Sequence, residues 1–154
     1  MTDTAVSNQI EKSILLHFPR HRVWRALTTA REFGAWFGVK LDGEFTAGQP
    51  IRGKHDNEKY AHVAFEVIVE TITPETFFSY RWRPFAIEAD VDYSAEPRTL
   101  VSFTLEDREG STLLTVVESG FDGIPAARRA TAFEMDSKGW ASQMVRIEKY
   151  LQTS

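Results

Sequence analysis

IPAARRATAFEMDSKGWASQMVRIEKYL, residues 124–151, decides the fold. Within it Ala126, Ala130, Phe133, Ser137, Trp140, Met144, Ile147 and Leu151 recur at alternating steps of four and three. Arg128, Arg129, Asp136, Gln143, Arg146 and Lys149 fall between them. That spacing predicts one apolar stripe along a long helix. Pro125 suits a first helical position, where its missing N–H costs nothing, and Asp122 lies upstream on the side the helix dipole favours. Ser137 and Gly139 interrupt the stripe with small residues, so a kink near Asp136 is allowed.

Working outward, the chain before this helix reads as the surface it lies on. Residues 8–18 alternate, with Ile10, Ile14, Leu16 and Phe18 on one parity, and predict a first strand closed by Pro19. Two short helices follow, over about 20–28 and 31–37, the second rich in aromatics and stopped by Gly38. From Leu41 to Val117 the period becomes two, predicting strands at about 41–46, 50–55, 60–72 and 77–83, then a hairpin of 99–106 and 112–118. Pro84–Pro97 carries Glu88, Asp90, Asp92 and Glu96 and reads as a loop or flap with a weak strand. The expected class is α+β: a curved antiparallel meander of six to seven strands, covered on its apolar face by the C-terminal helix. No internal repeat or linker divides residues 1–154, which read as a single domain.

Composition narrows the function classes. The 154 residues, 42% hydrophobic and 26% charged, suffice for a real core. No apolar run reaches bilayer length, and the first residues lack a basic-then-apolar leader, so no membrane role and a cytoplasmic location are expected. A net charge of −4 without a basic block argues against nucleic acid. Zero cysteines removes disulfides, thiol nucleophiles and thiolate metal sites. Neither a dinucleotide fingerprint nor a phosphate loop occurs, and no cofactor is expected.

Pro19–Thr28 (PRHRVWRALT), Glu32–Phe37 (EFGAWF), Phe78–Trp82 (FSYRW), Leu114–Phe121 (LTVVESGF) and Gly139-Trp140 fall in this order along the chain. Together they resemble the helix-grip superfamily of START-like lipid-transfer and polyketide-cyclase domains. More closely, they resemble bacterial relatives of the C-terminal domain of the heat-shock chaperone ATPase activator. The resemblance spans about Ile10–Leu151. It implies a helix-grip fold and leaves carrier, cyclase and chaperone-partner functions open.

Several residues stand out as candidates. Trp36, Phe37, Phe65, Tyr80, Trp82, Phe133, Trp140 and Met144 could wall an apolar pocket between sheet and helix, or simply pack the core. Glu118 shares a parity with Leu114 and Val116 and should point inward, where a carboxylate must be paired or hold its proton. It is the candidate acid or base, with Tyr80 or His62 as the second group. His55 and His62 have no recognised metal spacing, and no metal is expected. Arg81 and Arg83 should face solvent, with Arg83 in reach of Asp90 or Asp92. The expected function is binding of a small hydrophobic molecule, aromatic or acyl, in a cavity under the helix. The alternatives are a cyclase or aromatase using Glu118, and a chaperone ATPase co-regulator.

Overall fold

A computed structural model describes residues 9–84 and 92–154 of the chain. The alternating strand β1 (Gln9–Leu16) buries Ile10 and Leu16 at its ends. Pro19 turns the chain, its carbonyl accepting from the N–H groups of Arg22 and Val23 at 3.0 and 3.2 Å, and α1 (Arg20–Thr28) follows with Val23, Ala26 and Leu27 inward. The next helix, α2 (Ala30–Phe37), ends at Gly38, whose φ of 95° is the left-handed cap glycine adopts at little cost.

Five further strands and a hairpin arm complete one sheet: β2 (Val39–Asp42), β3 (Pro50–His55), β4 (Ala64–Thr73), β5 (Phe77–Trp82), β6 (Thr99–Arg108) and β7 (Ser111–Ser119). Their order is β1-β7-β6-β5-β4-β3-β2, every pair antiparallel. The β6–β7 turn is the residue pair Glu109-Gly110, both with positive φ, the geometry whose twist matches a two-residue hairpin. A register shift between Val69 and Thr71 leaves Glu70 as the extra residue of a bulge, which bends β4 and helps curve the sheet. Gly53 permits close pairing with β2, since a Cβ there would stand 2.2 Å from the carbonyl oxygen of Lys40.

The expected strand at 41–46 is shorter and earlier, because Gly43, at φ 108°, turns the chain out of β2. The strand expected from Tyr60 starts only at Ala64, since Asn57 caps a short 3-10 turn over Glu58–Tyr60. Part of the weak strand expected within Pro84–Pro97 lies outside the described residues, and residues 92–98 hold no strand.

The C-terminal helix, α3 (Ala126–Thr153), runs unbroken for 28 residues past Ser137 and Gly139. Pro125 is its cap rather than its first residue. The stripe read from the sequence holds for Trp140, Met144, Ile147 and Leu151, all buried. It fails in the first three turns, where Ala126 and Ala130 are exposed and Ala132 is the buried position instead. The line facing the sheet therefore runs Ala132, Asp136, Trp140, Met144 in steps of four, with Asp136 half-buried and turned toward Glu118.

A buried acid also clamps the three helices together. Glu32, 3% exposed, accepts from Arg22 Nη1 at 2.8 Å, Arg25 Nε at 2.9 Å and the Tyr150 hydroxyl at 2.9 Å. Burial alone would raise its pKa. The Tyr150 hydroxyl and the two guanidinium groups outweigh that and hold it below the usual glutamate range.

Candidate functional site

On β7 the inward parity runs Thr112, Leu114, Val116, Glu118, so the alternation that buries two aliphatic side chains also buries a carboxylate. Sheet register sets its surroundings. Glu118 lies opposite Val101 of β6, Thr99 is two residues earlier on the same face, and Trp82 pairs with Thr99 from β5. The Glu118 carboxylate is fully buried and accepts three hydrogen bonds: Oε1 from Trp140 Nε1 at 2.8 Å, and Oε2 from Trp82 Nε1 at 2.9 Å and Thr99 Oγ1 at 2.6 Å. Two indoles and a hydroxyl thus replace the water a buried carboxylate loses.

A second acid completes the cluster. Asp136 lies one helical turn before Trp140 and hydrogen-bonds to Glu118. Burial, then the Glu118 charge and the hydrogen bond to it, push the Asp136 carboxyl well above the usual range, and the Arg128 charge offsets little of this. Asp136 Oδ2 is buried and meets no donor. A proton on Asp136 makes the group a donor to Glu118 and leaves one negative charge where two would repel, while Oδ2 stays without a donor. Tyr80 is drawn into the same field. Burial, then the charges of Glu118 and Asp136, raise its phenol pKa, and its hydroxyl is without a partner. Arg128 is committed elsewhere: it pairs with the Glu96 carboxylate, donates to the carbonyl of Pro84 at 2.9 Å and covers the Tyr93 ring at 5.0 Å.

In front of Asp136 the protein atoms leave a cavity of about 70 Å³, lined by Phe37, Trp82, Asp136, Gly139, Trp140 and Gln143. Three rings border it, with centroids 5.9 Å apart for Phe37 and Trp82, 5.6 Å for Trp82 and Trp140, and 6.1 Å for Phe37 and Trp140. Gly139 contributes no side chain to it, and a Cβ there would meet no atom within 4 Å. Gln143 donates through Nε2 to the carbonyl of Phe37 at 3.2 Å, which fixes its amide, and its Oε1 is buried without a partner. A larger groove of about 560 Å³ follows the first turns of α3 past Ala126, Ala130, Phe133 and Ser137, rimmed by Arg129, Glu134 and Lys138.

The structure therefore brings Phe37, Trp82 and Trp140 together at the small cavity, with Glu118 directly behind the two indoles. Trp36, Phe65, Tyr80 and Met144 sit in the packed core. The Trp36 indole N–H is spent on the carbonyl of Ala26 at 2.8 Å. Phe133 packs on Phe121, ring centroids 5.2 Å apart, and borders the groove instead. Of the second groups anticipated for Glu118, Tyr80 lies beside the acids, whereas His62 occupies an exposed turn before β4. His55 packs against Phe65 and Tyr60, and among the described residues no three His, Asp or Glu side chains converge as metal ligands would. Arg83 donates to the carbonyls of Ser94 and Glu96 at 2.9 and 3.3 Å, with its charge also felt by Asp92. Asp90 lies outside the described residues.

Asp136 and Gln143 fall between the members of the apolar stripe in sequence, yet both line the cavity. The signal that finds Asp136 is its place four residues before Trp140, on the same side as Met144.

Residues 17–152 match the sequence profile of a family described as Activator of Hsp90 ATPase homolog 1-like protein. Among solved structures, DynU16, a protein of the dynemicin biosynthetic locus, is 25% identical with a TM-score of 0.72. The match covers 95% of this chain and 48% of DynU16, so this chain spans about half that protein's length. MLL2253 of Mesorhizobium loti is 22% identical with a TM-score of 0.76, covering 95% of this chain and 98% of that one. The Aha1 dimer of Colwellia psychrerythraea is 18% identical with a TM-score of 0.69, covering 93% and 95% of the two chains. At such identities the likeness is one of fold. No curated protein sequence matches.

Proposed function

The chain belongs to the Activator of Hsp90 ATPase homolog 1-like family, and from that premise we propose that it is a ligand-binding domain whose guest enters between α3 and the sheet. The guest is a small, largely apolar molecule, aromatic or acyl, with one end seated among Phe37, Trp82 and Trp140. The supporting observation is a pair of indoles that both donate to the buried Glu118 while they and Asp136 line a space no protein atom fills. Filling such a space with well-packed side chains would be the stabilising choice if it had no occupant. Its volume, about 70 Å³, accepts a head group and not a whole drug-sized ligand, which needs about 300 Å³ or more. The remainder of the guest would lie over the neighbouring face of α3, toward Ser137 and Phe133.

The test is a thermal-shift screen with small aromatic and acyl compounds, followed by Trp fluorescence. A ligand at a hundred times its Kd adds about 2.7 kcal/mol, which for a domain of this size raises Tm by about 5–10 °C. Compounds of either class should do this while altering Trp82 and Trp140 emission. A screen in which neither class moves Tm or emission overturns the reading.

A cyclase-like activity is the second reading, favoured by the two acids in contact. Asp136, which lines the cavity, would deliver the proton, and Glu118 behind it would position Asp136 and hold the charge left behind. Asp136→Asn should then abolish turnover and leave binding of the same substrate in place. A chaperone partner is the reading suggested by the family's description. It predicts that the purified protein changes the ATPase rate of a bacterial chaperone, and an unchanged rate removes it.

A further inference from the structure

We infer that the cavity in front of Asp136 receives the ammonium group of a small primary amine, held between the Asp136–Glu118 pair, the Gln143 carbonyl and the faces of Phe37, Trp82 and Trp140. The inference names the polar end of the guest and rests on the same cavity being a binding site.

Three observations converge on a cationic donor. The polar side-chain atoms left without a partner on the cavity residues are both acceptors, Asp136 Oδ2 and Gln143 Oε1, and the Gln143 amide is fixed with its oxygen free because Nε2 serves the Phe37 carbonyl. A guest that accepts hydrogen bonds would leave both unmet, whereas an ammonium offers three N–H donors. The charge is also unbalanced. Glu118 is bound only by neutral donors, Trp82, Trp140 and Thr99, and among the described residues no basic side chain forms an ion pair with either acid. The groups facing Asp136 are Glu118 from β7, Tyr80 from β5 and Arg128 from α3 itself, and Arg128 pairs with Glu96. Finally, the walls are aromatic, and ring faces attract a cation most strongly where water is thin. A cavity of about 70 Å³ suits a methylammonium-sized head and excludes a guanidinium carried on a long chain folded back on itself.

Binding is an exchange in which charge balances: R–NH3+ enters the cavity in front of Asp136, and Asp136 releases its proton to solvent, so one positive charge replaces another beside the acid pair. Affinity should therefore climb with pH as Asp136 gives up its proton more readily, and fall once the amine itself deprotonates.

The test is calorimetric and NMR titration of the full chain with benzylamine, benzyl alcohol and benzoate, reading the indole N–H signals of Trp82 and Trp140. The expected result is that benzylamine binds, releases a proton, shifts both indole signals, and loses about 10- to 100-fold in affinity in Asp136→Asn, the scale of a charge-assisted hydrogen bond. Gln143→Met, which changes no charge, should weaken benzylamine as well, and it serves as the readout should Asp136→Asn fail to fold. If benzyl alcohol or benzoate perturbs the two indoles at least as tightly as benzylamine, the amine assignment is wrong while the cavity stands as a binding site. If none of the three probes perturbs them, the binding reading falls with it.

Discussion

Glu118→Ala lowers the stability of this protein by about 4 kcal/mol, because it leaves buried donors without an acceptor and a void where the carboxylate stood. Trp82 Nε1, Trp140 Nε1 and Thr99 Oγ1 all donate to Glu118, from two strands and α3. Each stranded donor costs about 1–3 kcal/mol before relaxation. Against that sum stands one gain. Removing the Glu118 charge relieves Asp136 and Tyr80, whose pKa values it raises. Half-buried Trp82 can also swing toward water, which keeps the total near the lower end. For a domain of this size about 4 kcal/mol is a fall in Tm of about 8–16 °C. Glu118→Gln keeps the volume and one accepting oxygen and should cost about 1–2 kcal/mol. Urea unfolding followed by Trp fluorescence measures both. An alanine variant within about 1 kcal/mol of the parent would show that the carboxylate does not organise the two indoles.

Glu32→Ala has the second largest expected effect, a loss of about 3 kcal/mol. The Arg22 side chain is only 15% exposed and would be left as a nearly buried charge, with the Tyr150 hydroxyl also unpaired, whereas Arg25, at 58%, can return to water. The loss is shared between α1, α2 and the end of α3, so the last turn of α3 should fray first. Glu32 has a folded-state pKa below its unfolded value, so its contribution is fully present above the unfolded pKa and is lost as pH falls through the folded one. Stability of the parent should drop on acidification across that window, and Glu32→Gln should flatten the drop. Urea midpoints measured from neutral to acidic pH check this, and parallel curves for parent and variant would remove Glu32 from the account.

Much of the architecture was legible because it rests on local periodicity. The period-two runs mark β4, β6 and β7, Gly38 stops α2, and Trp140 to Leu151 define the seam of α3. Glu118 was legible for the same reason, since its parity with Leu114 and Val116 places it inside whatever lies across the sheet. Its partners were not. That Asp136 meets Glu118 depends on where α3 crosses the sheet, and the apolar spacing of Ala126, Ala130 and Phe133 points to a different line down the helix than the one that is buried. Glu32 was hidden in the same way, because Arg22 and Arg25 reach it from another helix and Tyr150 from the far end of the chain. The aromatic residues were easy to find and hard to sort. Trp36 and Trp82 look alike in sequence, yet one spends its N–H on the Ala26 carbonyl inside the core and the other on the Glu118 carboxylate at the cavity.

The carboxyl 13C chemical shift of Asp136, followed from acid to alkaline pH, tests the acid pair most directly. The account predicts that Asp136 gives up its proton only well above the usual aspartate range, and that Glu118→Gln brings that titration back down by removing the neighbouring charge. An Asp136 that titrates like a solvent-exposed aspartate, unmoved by Glu118→Gln, would contradict the shared proton and with it the charged floor of the proposed site.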